Sequence, residues 1–567
     1  MKKQKYDFDA IVVGSGISGG WAAKELTEKG LKVLMVDRGK ALEHAKDYYG
    51  EHAPNWKVPF QGKPNRKDNN INYPMQSTNY AFSEKNKKFF VSDIDNPFSQ
   101  PVENKFHWIR SDVVGGRSVL WGRQTYRLSE QDFKANEQDG EGIPWPITYK
   151  EIDPWYTYVE KFIGVSGQKE GLDQLPDGDF LPPMKMTALE KTIKSRIEKH
   201  EPDITMTIGR AAILTQAHNG RAPCHYCGPC YNGCSTGSYF STQSSTLPAA
   251  KATGNLTLMS DMLVEKLEYD HESKRVTSVK LINTKNNERS QVSAKLFFVC
   301  ASTIGTTQIL LNSKNEYFPG GLANSSGSLG RYLMDHLTNE SAATGVFLDD
   351  LDSYYEGVRP NGTYIPRFKN LPNELQEQDF VRGYGYQGNI FRADWRVQYN
   401  QKGFGADLKE SLRKPGPWIW NLTGFGECLP KATNRITLHP TKKDRFGIPQ
   451  VHIVFEWSEN EKKIHKDIVK NAKRIMRAAG AVAVIESEAP MSTPGAAIHE
   501  MGTARMGDDP KLSVLNKHNQ SHDIPNLFVT DGSCMTSSSC VNPSITYMAL
   551  TARACDYAVK ALKAGTI

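Results

Sequence analysis

The sequence contains no apolar run of about eighteen residues, the least a spanning helix needs, and its mean hydropathy is −0.53. A membrane-spanning helix is therefore not expected. The start, Met1 to Tyr6, is short and polar and runs straight into an apolar segment. Without a hydrophobic leader or a cleavage site, we expect no signal peptide and synthesis in the cytoplasm. An excess of one charge is also missing: 70 Lys and Arg face 63 Asp and Glu, a net +7 over 567 residues. Lys85–Lys88 and Lys442–Arg445 read as solvated loops, so nothing argues for a nucleic-acid partner. Internal repeats and low-complexity linkers are absent. Spread, paired cysteines are absent too. Four of the nine cysteines crowd into residues 224–234, while Cys300, Cys428, Cys534, Cys540 and Cys555 are scattered. A disulfide framework spaces its cysteines to close loops, so this pattern reads as a reducing environment at synthesis plus one special cluster.

What is present has ordinary globular composition, with 38% hydrophobic and 23% charged residues, which excludes wholesale disorder. At roughly 150 residues per domain the length allows two to four domains. The first forty residues carry the clearest pattern. Asp7–Val13 reads as a buried strand, and Gly14-Ser15-Gly16-Ile17-Ser18-Gly19 follows at once. A helical pattern runs through Ala22 and Leu26 to Gly30. A second strand, Lys32–Val36, ends in Asp37. Gly14 permits the tight turn, Gly16 lets backbone approach a pyrophosphate, and Gly19 lets the helix pack close to the strand. The helix start offers unpaired N–H groups to phosphates, and Asp37 can accept from ribose hydroxyls. These residues define a dinucleotide site without separating FAD from NAD.

The last eighty residues hold the other informative segment. His499-Glu500-Met501-Gly502-Thr503-Ala504-Arg505-Met506-Gly507 precedes a strand, Leu527–Thr530, that closes on Asp531-Gly532-Ser533. Val541-Asn542-Pro543 then opens a helical pattern through Ile545, Met548, Ala549 and Ala552. Asn542 suits the N-cap and Pro543 the first helical position. The start of that helix is a good place for developing negative charge.

Taken together, these segments resemble the glucose–methanol–choline (GMC) oxidoreductases, FAD enzymes that oxidise alcohols, over essentially the whole chain. Val114–Gly122 resembles the family's first signature beside the flavin, which implies Gly115, Gly116, Ser118, Trp121 and Gly122 as cofactor-binding. Cys300–Ser313 resembles the second signature, Leu329–His336 the D-H stretch that follows, and Asp444–Pro449 the D-x-x-G-x-P hairpin. The tail is most similar to pyranose oxidases and to bacterial sugar dehydrogenases acting on glucosides, fructose or gluconate. The resemblance implies that His499 is the catalytic base and Asn542 its partner, where other members carry a second histidine. Asp531 matches the acid that holds the ribityl and phosphate region, and Pro543 lies beside the cofactor. His336 reads as structural.

The implied chemistry removes a proton from a secondary hydroxyl and a hydride from its carbon. An imidazole with an ordinary pKa of about 6.5 accepts the proton near neutral pH. Flavin N5 takes the hydride. Two alternatives stay open: an O2-using alcohol or pyranose oxidase without a working cluster, and a non-catalytic FAD electron-transfer or assembly subunit.

Cys224, Cys227, Cys230 and Cys234 give C-x2-C-x2-C-x3-C, a spacing like a ferredoxin run that holds an iron–sulfur cluster. Zinc, and free or bridged thiols packing a loop, remain as readings. Zinc is disfavoured because four cysteines in this span crowd the paired knuckles of a ribbon. The sugar-dehydrogenase branch resembles the first reading, with a [3Fe-4S] cluster, or here a [4Fe-4S] cluster, passing electrons to a cytochrome c partner beside a small subunit. Such catalytic subunits lack a signal and are co-exported with the small subunit, which would place this chain in the periplasm.

The expected fold is α/β: a Rossmann-like FAD-binding domain with a mostly antiparallel substrate-binding domain, of the GMC and p-hydroxybenzoate-hydroxylase-like type. The expected boundaries are 1–40, 105–340 and 490–567 for the FAD-binding domain, including cysteines 224–234, and 341–489 for the substrate domain. Residues 41–104 read as an insertion acting as a lid or partner-docking segment. Trp395, Trp418, Trp420 and Phe425 are the aromatics able to stack on a sugar ring, with core packing the default for each. Some pyranose oxidases attach FAD through a histidine two residues after the signature serine, where this chain has Leu120. Leucine cannot form that bond, so the FAD is expected to be non-covalent. Acid precipitation should release the yellow colour into the supernatant; colour kept in the pellet contradicts this.

Overall fold

The structure is a computed structural model describing residues 6–351, 357–372, 379–393, 403–486 and 491–567. Two sheets organise it. The first starts from Phe8–Val13, whose apolar residues from Ala10 on are fully buried. This strand pairs in parallel with Val33–Val36 on one side and Arg289–Val299 on the other, with Ala10 opposite Val33 and Leu296. A strand buried on both faces needs such a continuous apolar run. The helix Ile17–Glu28 connects the first two strands and buries Trp21, Ala22 and Leu26. The full order is Leu256–Met259, Val33–Val36, Phe8–Val13, Arg289–Val299, Arg275–Asn283 and Met262–Asp270, with Leu527–Val529 also paired to Arg289–Val299.

The alternating pattern of residues 255–300, with turn residues at Asn286-Asn287, predicts antiparallel strands, and the structure departs from it at one place. Met262–Asp270, Arg275–Asn283 and Arg289–Val299 are antiparallel, with Asn287 at φ 60 in the expected turn. Leu256–Met259 instead lies parallel to Val33–Val36. Arg289–Val299 serves both arrangements because its Leu296–Val299 end is fully buried and continues into the parallel core.

The second sheet is antiparallel. Its order is Ala483–Glu486, Leu337–Phe347, Trp418–Gly426, Tyr384–Arg392, Thr363–Ile365 and Thr207–Ile208. Burial alternates along Trp418–Gly426. Trp418, Trp420 and Leu422 take the buried face, on which Gly424 and Gly426 meet Ile468 and Ile464. Those isoleucines belong to the helix Glu459–Ala478, which buries Ile464, Ile468, Ala472 and Ile475 and carries a capping box at Ser458. The two tryptophans are therefore core. Phe425 faces the other way, and Trp395 lies outside the described residues. No described helix is long and apolar enough to cross a membrane.

Residues 41–104 hold short turns and one helix, Arg66–Asn72. They fold over the cysteine loop. The Glu51 carboxylate accepts from Ser235 N at 2.9 Å, and Asn86 donates to the Tyr231 carbonyl at 2.9 Å. The described cysteines form no disulfide.

Candidate active site

A cavity of about 820 Å3 runs between the two sheets. Three helices begin on it: Ile17–Glu28 at Gly16, Thr303–Asn312 at Ser302, and Ser544–Ala564 at Pro543. None of the three has a side-chain cap. By contrast, helices Glu130–Asp139, Ala188–His200 and Glu459–Ala478 all carry capping boxes. Unsatisfied N–H groups and the positive ends of three dipoles thus face one space.

The glycines of the first turn divide their work as expected. Gly14 sits at φ +93, and a side chain at Gly19 would strike the Gly14 carbonyl at 1.9 Å. Nothing lies within 4 Å of a Cβ built on Gly16, which leaves its backbone open to a ligand. Asp37 lines the cavity and accepts from Ser15 N at 2.8 Å, Ser15 Oγ at 2.5 Å and Gly39 N at 2.7 Å. Ser15 Oγ in turn accepts from Gly115 N at 2.7 Å, so the dinucleotide turn is tied to the Val114–Gly122 segment. Gly116, Ser118, Leu120, Trp121 and Gly122 line the cavity, as do Asp531 and Pro543. Asp531 accepts from Thr306 Oγ1 at 2.5 Å and Ser533 Oγ at 2.6 Å. Burial raises the Asp37 and Asp531 carboxyls, against the pull of those hydrogen bonds.

At the other end stand His499 and Asn542. Asn542 Nδ2 lies 3.2 Å from His499 Nε2, and Gln387 Nε2 donates to Asn542 Oδ1 at 2.6 Å. Asn542 is not the N-cap. Pro543 takes that position and the helix starts at Ser544, because the carboxamide is spent on His499 and Gln387. The main chain of His499 is held by Asp335, whose two oxygens accept from His499 N at 2.9 Å and Gly495 N at 2.8 Å. Glu500 pairs with Arg117 at 2.7 Å, and Arg117 also donates to Ser302 Oγ at 2.6 Å. The histidine loop is thereby fastened to the flavin-type signature and to a helix start.

His336 is more than filler: its Nδ1 lies 2.8 Å from His499 Nδ1, and it is fully buried. Sequence reasoning missed this contact, along with Gln387, Asp335 and Arg117. The D-H stretch was the one available signal.

The cavity-lining residues of the antiparallel sheet include Thr338, Thr363, Gln387, Asn389, Thr423 and Phe425, and none of those described is charged. The four cysteines do not line the cavity, but Tyr231, between Cys230 and Cys234, does. Among the described residues no group of three or more His, Cys, Asp or Glu side chains is placed to hold a metal ion.

The donor set fits a dinucleotide with a flavin end. One end offers the glycine turn and two helix starts. The other offers a polar wall and the Tyr547 hydroxyl, a buried cavity group with no partner. This geometry suits a dinucleotide cofactor with an imidazole at the far end of its cavity. The family models described as GMC oxidoreductase match residues 8–338 and 430–551, and the chain belongs to that family. It is 30% identical to a 2-methyl-1,2-propanediol dehydrogenase of Mycolicibacterium austroafricanum, over 97% of this chain and 94% of the relative. It is 26% identical to a fructose dehydrogenase large subunit of Gluconobacter japonicus, over 100% of both. The fold matches the crystal structure of pyridoxine 4-oxidase from Mesorbium loti with a TM-score of 0.60 at 13% identity, covering 97% of this chain and 98% of that one.

Burial, then the neighbouring His336 and Arg117, holds the His499 imidazole well below its ordinary range. The neutral, proton-accepting ring therefore persists as pH falls. Substrate-driven flavin reduction should stay flat through the ordinary histidine pKa of about 6.5, where a solvated imidazole would lose activity. His336, brought down to about 4 by burial, also stays neutral in the folded state. The unfolded chain then binds more protons, so stability should fall as pH drops below about 6.5. Stopped-flow reduction and thermal melts across pH check both.

Proposed function

We propose that this chain oxidises a secondary alcohol of an uncharged sugar or glycoside to a ketone and hands the electrons to an external acceptor. The observation that carries this is the cavity end at which His499 and Asn542 meet a wall of neutral carboxamides and hydroxyls. Such a wall satisfies several hydroxyls at once and offers no counter-charge to an acid or amine. Phe425 adds one aromatic face for a ring's C–H groups. FAD bound in the cavity supplies the hydride acceptor. His499 Nε2 takes the hydroxyl proton, and Asn542 orients the hydroxyl toward it. C3 of a pyranoside is the position we assign, on the resemblance of the tail to glucoside-acting dehydrogenases.

The acceptor route we propose runs through an iron–sulfur cluster on Cys224, Cys227, Cys230 and Cys234. Charge supports it. Arg123 and Arg221 are buried beside this loop, and among the described residues neither pairs with a carboxylate; their neighbours include the Cys230 and Cys234 thiols. A buried cation without an anion is costly, and a thiolate-held cluster provides one. The amides of Tyr226 and Tyr239 donate to the Cys224 and Cys234 sulfurs, each at 3.4 Å, as cluster sulfurs require. On the large-subunit name of the fructose dehydrogenase relative, we further propose a small subunit, a cytochrome c acceptor docking on residues 41–104, and co-export to the periplasm.

One comparison favours the O2-using reading. Paromamine 6'-oxidase of Streptomyces fradiae is also a relative, at 25% identity over 96% of this chain and 89% of its own. Spectra separate the two. Flavin bands with a broad brown shoulder and an electron paramagnetic signal support the cluster; flavin alone with peroxide release supports the oxidase. His499→Ala should keep FAD bound and slow anaerobic flavin bleaching about 10²–10⁴-fold. Unchanged bleaching removes His499 as the base. A panel of sugars and glycosides, with product positions read by NMR, names the substrate.

A further inference from the structure

We propose that His336 fixes the tautomer of His499 and is a positioning residue for the proton acceptor; the inference rests on the reading of His499 as the base. It starts from two atoms that allow no choice. The carbonyls of Ser538 and Ser539 only accept, and His336 Nε2 lies 3.3 and 2.8 Å from them. That nitrogen must carry a proton. A neutral His336 then has a bare Nδ1. The 2.8 Å contact between His336 Nδ1 and His499 Nδ1 needs one donor, so the proton sits on His499 Nδ1. His499 Nε2 is left bare at the cavity side.

The same two carbonyls decide the remaining side chains. A bare His499 Nε2 requires a donor from Asn542, which is Nδ2 at 3.2 Å. The Asn542 oxygen then faces Gln387, which donates at 2.6 Å. Histidine and amide orientations are otherwise interchangeable; here each follows from main-chain oxygens that cannot flip. The alternative, a charged His336, would donate to His499 Nδ1 and put the proton on Nε2, closing the acceptor. Full burial with no carboxylate on its ring disfavours that charge.

The arrangement also suits turnover. When Nε2 gains the substrate proton, the Nδ1–H bond to His336 is already made and becomes charge-assisted. No ring needs to turn. The rings meet edge to face, with centroids 4.9 Å apart and planes at 83°. Both ends of the relay hold strained backbone: Ile498, just before His499, has φ 63, and Ser539, whose carbonyl accepts from His336, has φ 56. Such positions are strained for residues other than glycine and persist where surrounding structure demands them.

The test uses the FAD-loaded enzyme labelled with 15N-histidine, with His499 assigned from its missing signals in His499→Gln. Wild type should show a protonated Nδ1 and a bare Nε2 at His499. His336→Leu removes the acceptor; the proton should move toward Nε2, and flavin reduction should slow by at least about tenfold, within the ~10²–10⁴ that acid–base catalysis contributes. His336→Asn places an oxygen near the Nδ1 position and should keep the Nδ1–H form and most of the rate. A wild-type enzyme with the proton on His499 Nε2 overturns the proposal without any variant. So does His336→Leu that binds FAD and keeps the wild-type tautomer, or His336→Asn that binds FAD and is as impaired as His336→Leu. If His499→Ala reduces its flavin normally, the base reading fails while the tautomer measurement stands on its own.

Discussion

Three helix starts left without caps, all opening on one cavity, are the constraint around which the molecule is built. A missing cap costs about 0.5–2 kcal/mol, and this chain supplies boxes freely on helices that face solvent. Ser129, Thr187 and Ser458 each serve as one. Leaving Gly16, Ser302 and Pro543 uncapped concentrates unsatisfied N–H groups and positive potential where a large anionic cofactor lies. The hydrogen-bond frame around the cavity follows from that choice. Ser15 joins the first helix start to Gly115, and Arg117 joins the second to the loop that carries His499. The cofactor cavity and the placement of the His499 imidazole are thus parts of one frame.

The acid–base end works by removing charge. His336 is buried and His499 half-buried, with no carboxylate on either ring, and both stay neutral. Asp335, next to His336 in sequence, points its oxygens at main-chain amides. Burial, then the nearby Glu500, raises that carboxyl to about 7. A carboxylate aimed at the His336 ring would have favoured its charged form and reversed the proton order along the relay. The D-H pair therefore grips one residue twice: the acid holds the backbone of His499, and the imidazole holds its ring.

What the sequence made legible was local. Gly14, Gly16 and Gly19 announce their roles because turn, cofactor approach and helix packing all occur within six residues. The alternation along Trp418–Gly426 and the apolar spacing of Ile464, Ile468, Ala472 and Ile475 in the helix over it are likewise local, since period alone sets which face is buried. Two local rules misled. Asn542 and Pro543 satisfy helix-start preferences, yet a stronger contact to His499 moved the cap by one residue. Leu256–Met259 looks like part of an antiparallel run, yet its partner is the second strand of the chain. The relay itself was out of reach. His336 and His499 are 163 residues apart, and Gln387 and Asn542 are 155 apart; no periodicity connects such positions.

The cysteine loop shows how charge bookkeeping adds to motif spacing. Elsewhere in the interior the arginines have partners: Arg127 meets Glu160, Arg210 meets Asp177, Arg367 meets Glu427 and Arg382 meets Asp139. Arg505 lies over the Tyr332 ring and Arg123 over the Tyr239 ring, and among the described residues neither meets a carboxylate. Arg123 and Arg221 instead spend their donors on carbonyls of Ser118, Phe240, Gly237 and Ile163, which satisfy hydrogen bonds without cancelling charge. Burial lowers both, Arg221 to about 10. Of the buried arginines that meet no carboxylate among the described residues, Arg123 and Arg221 are the two beside the thiol loop. Arg123 also reaches Ser118 in the segment beside the cavity, so an anionic centre on that loop would share its counter-charge with the wall of the cofactor site.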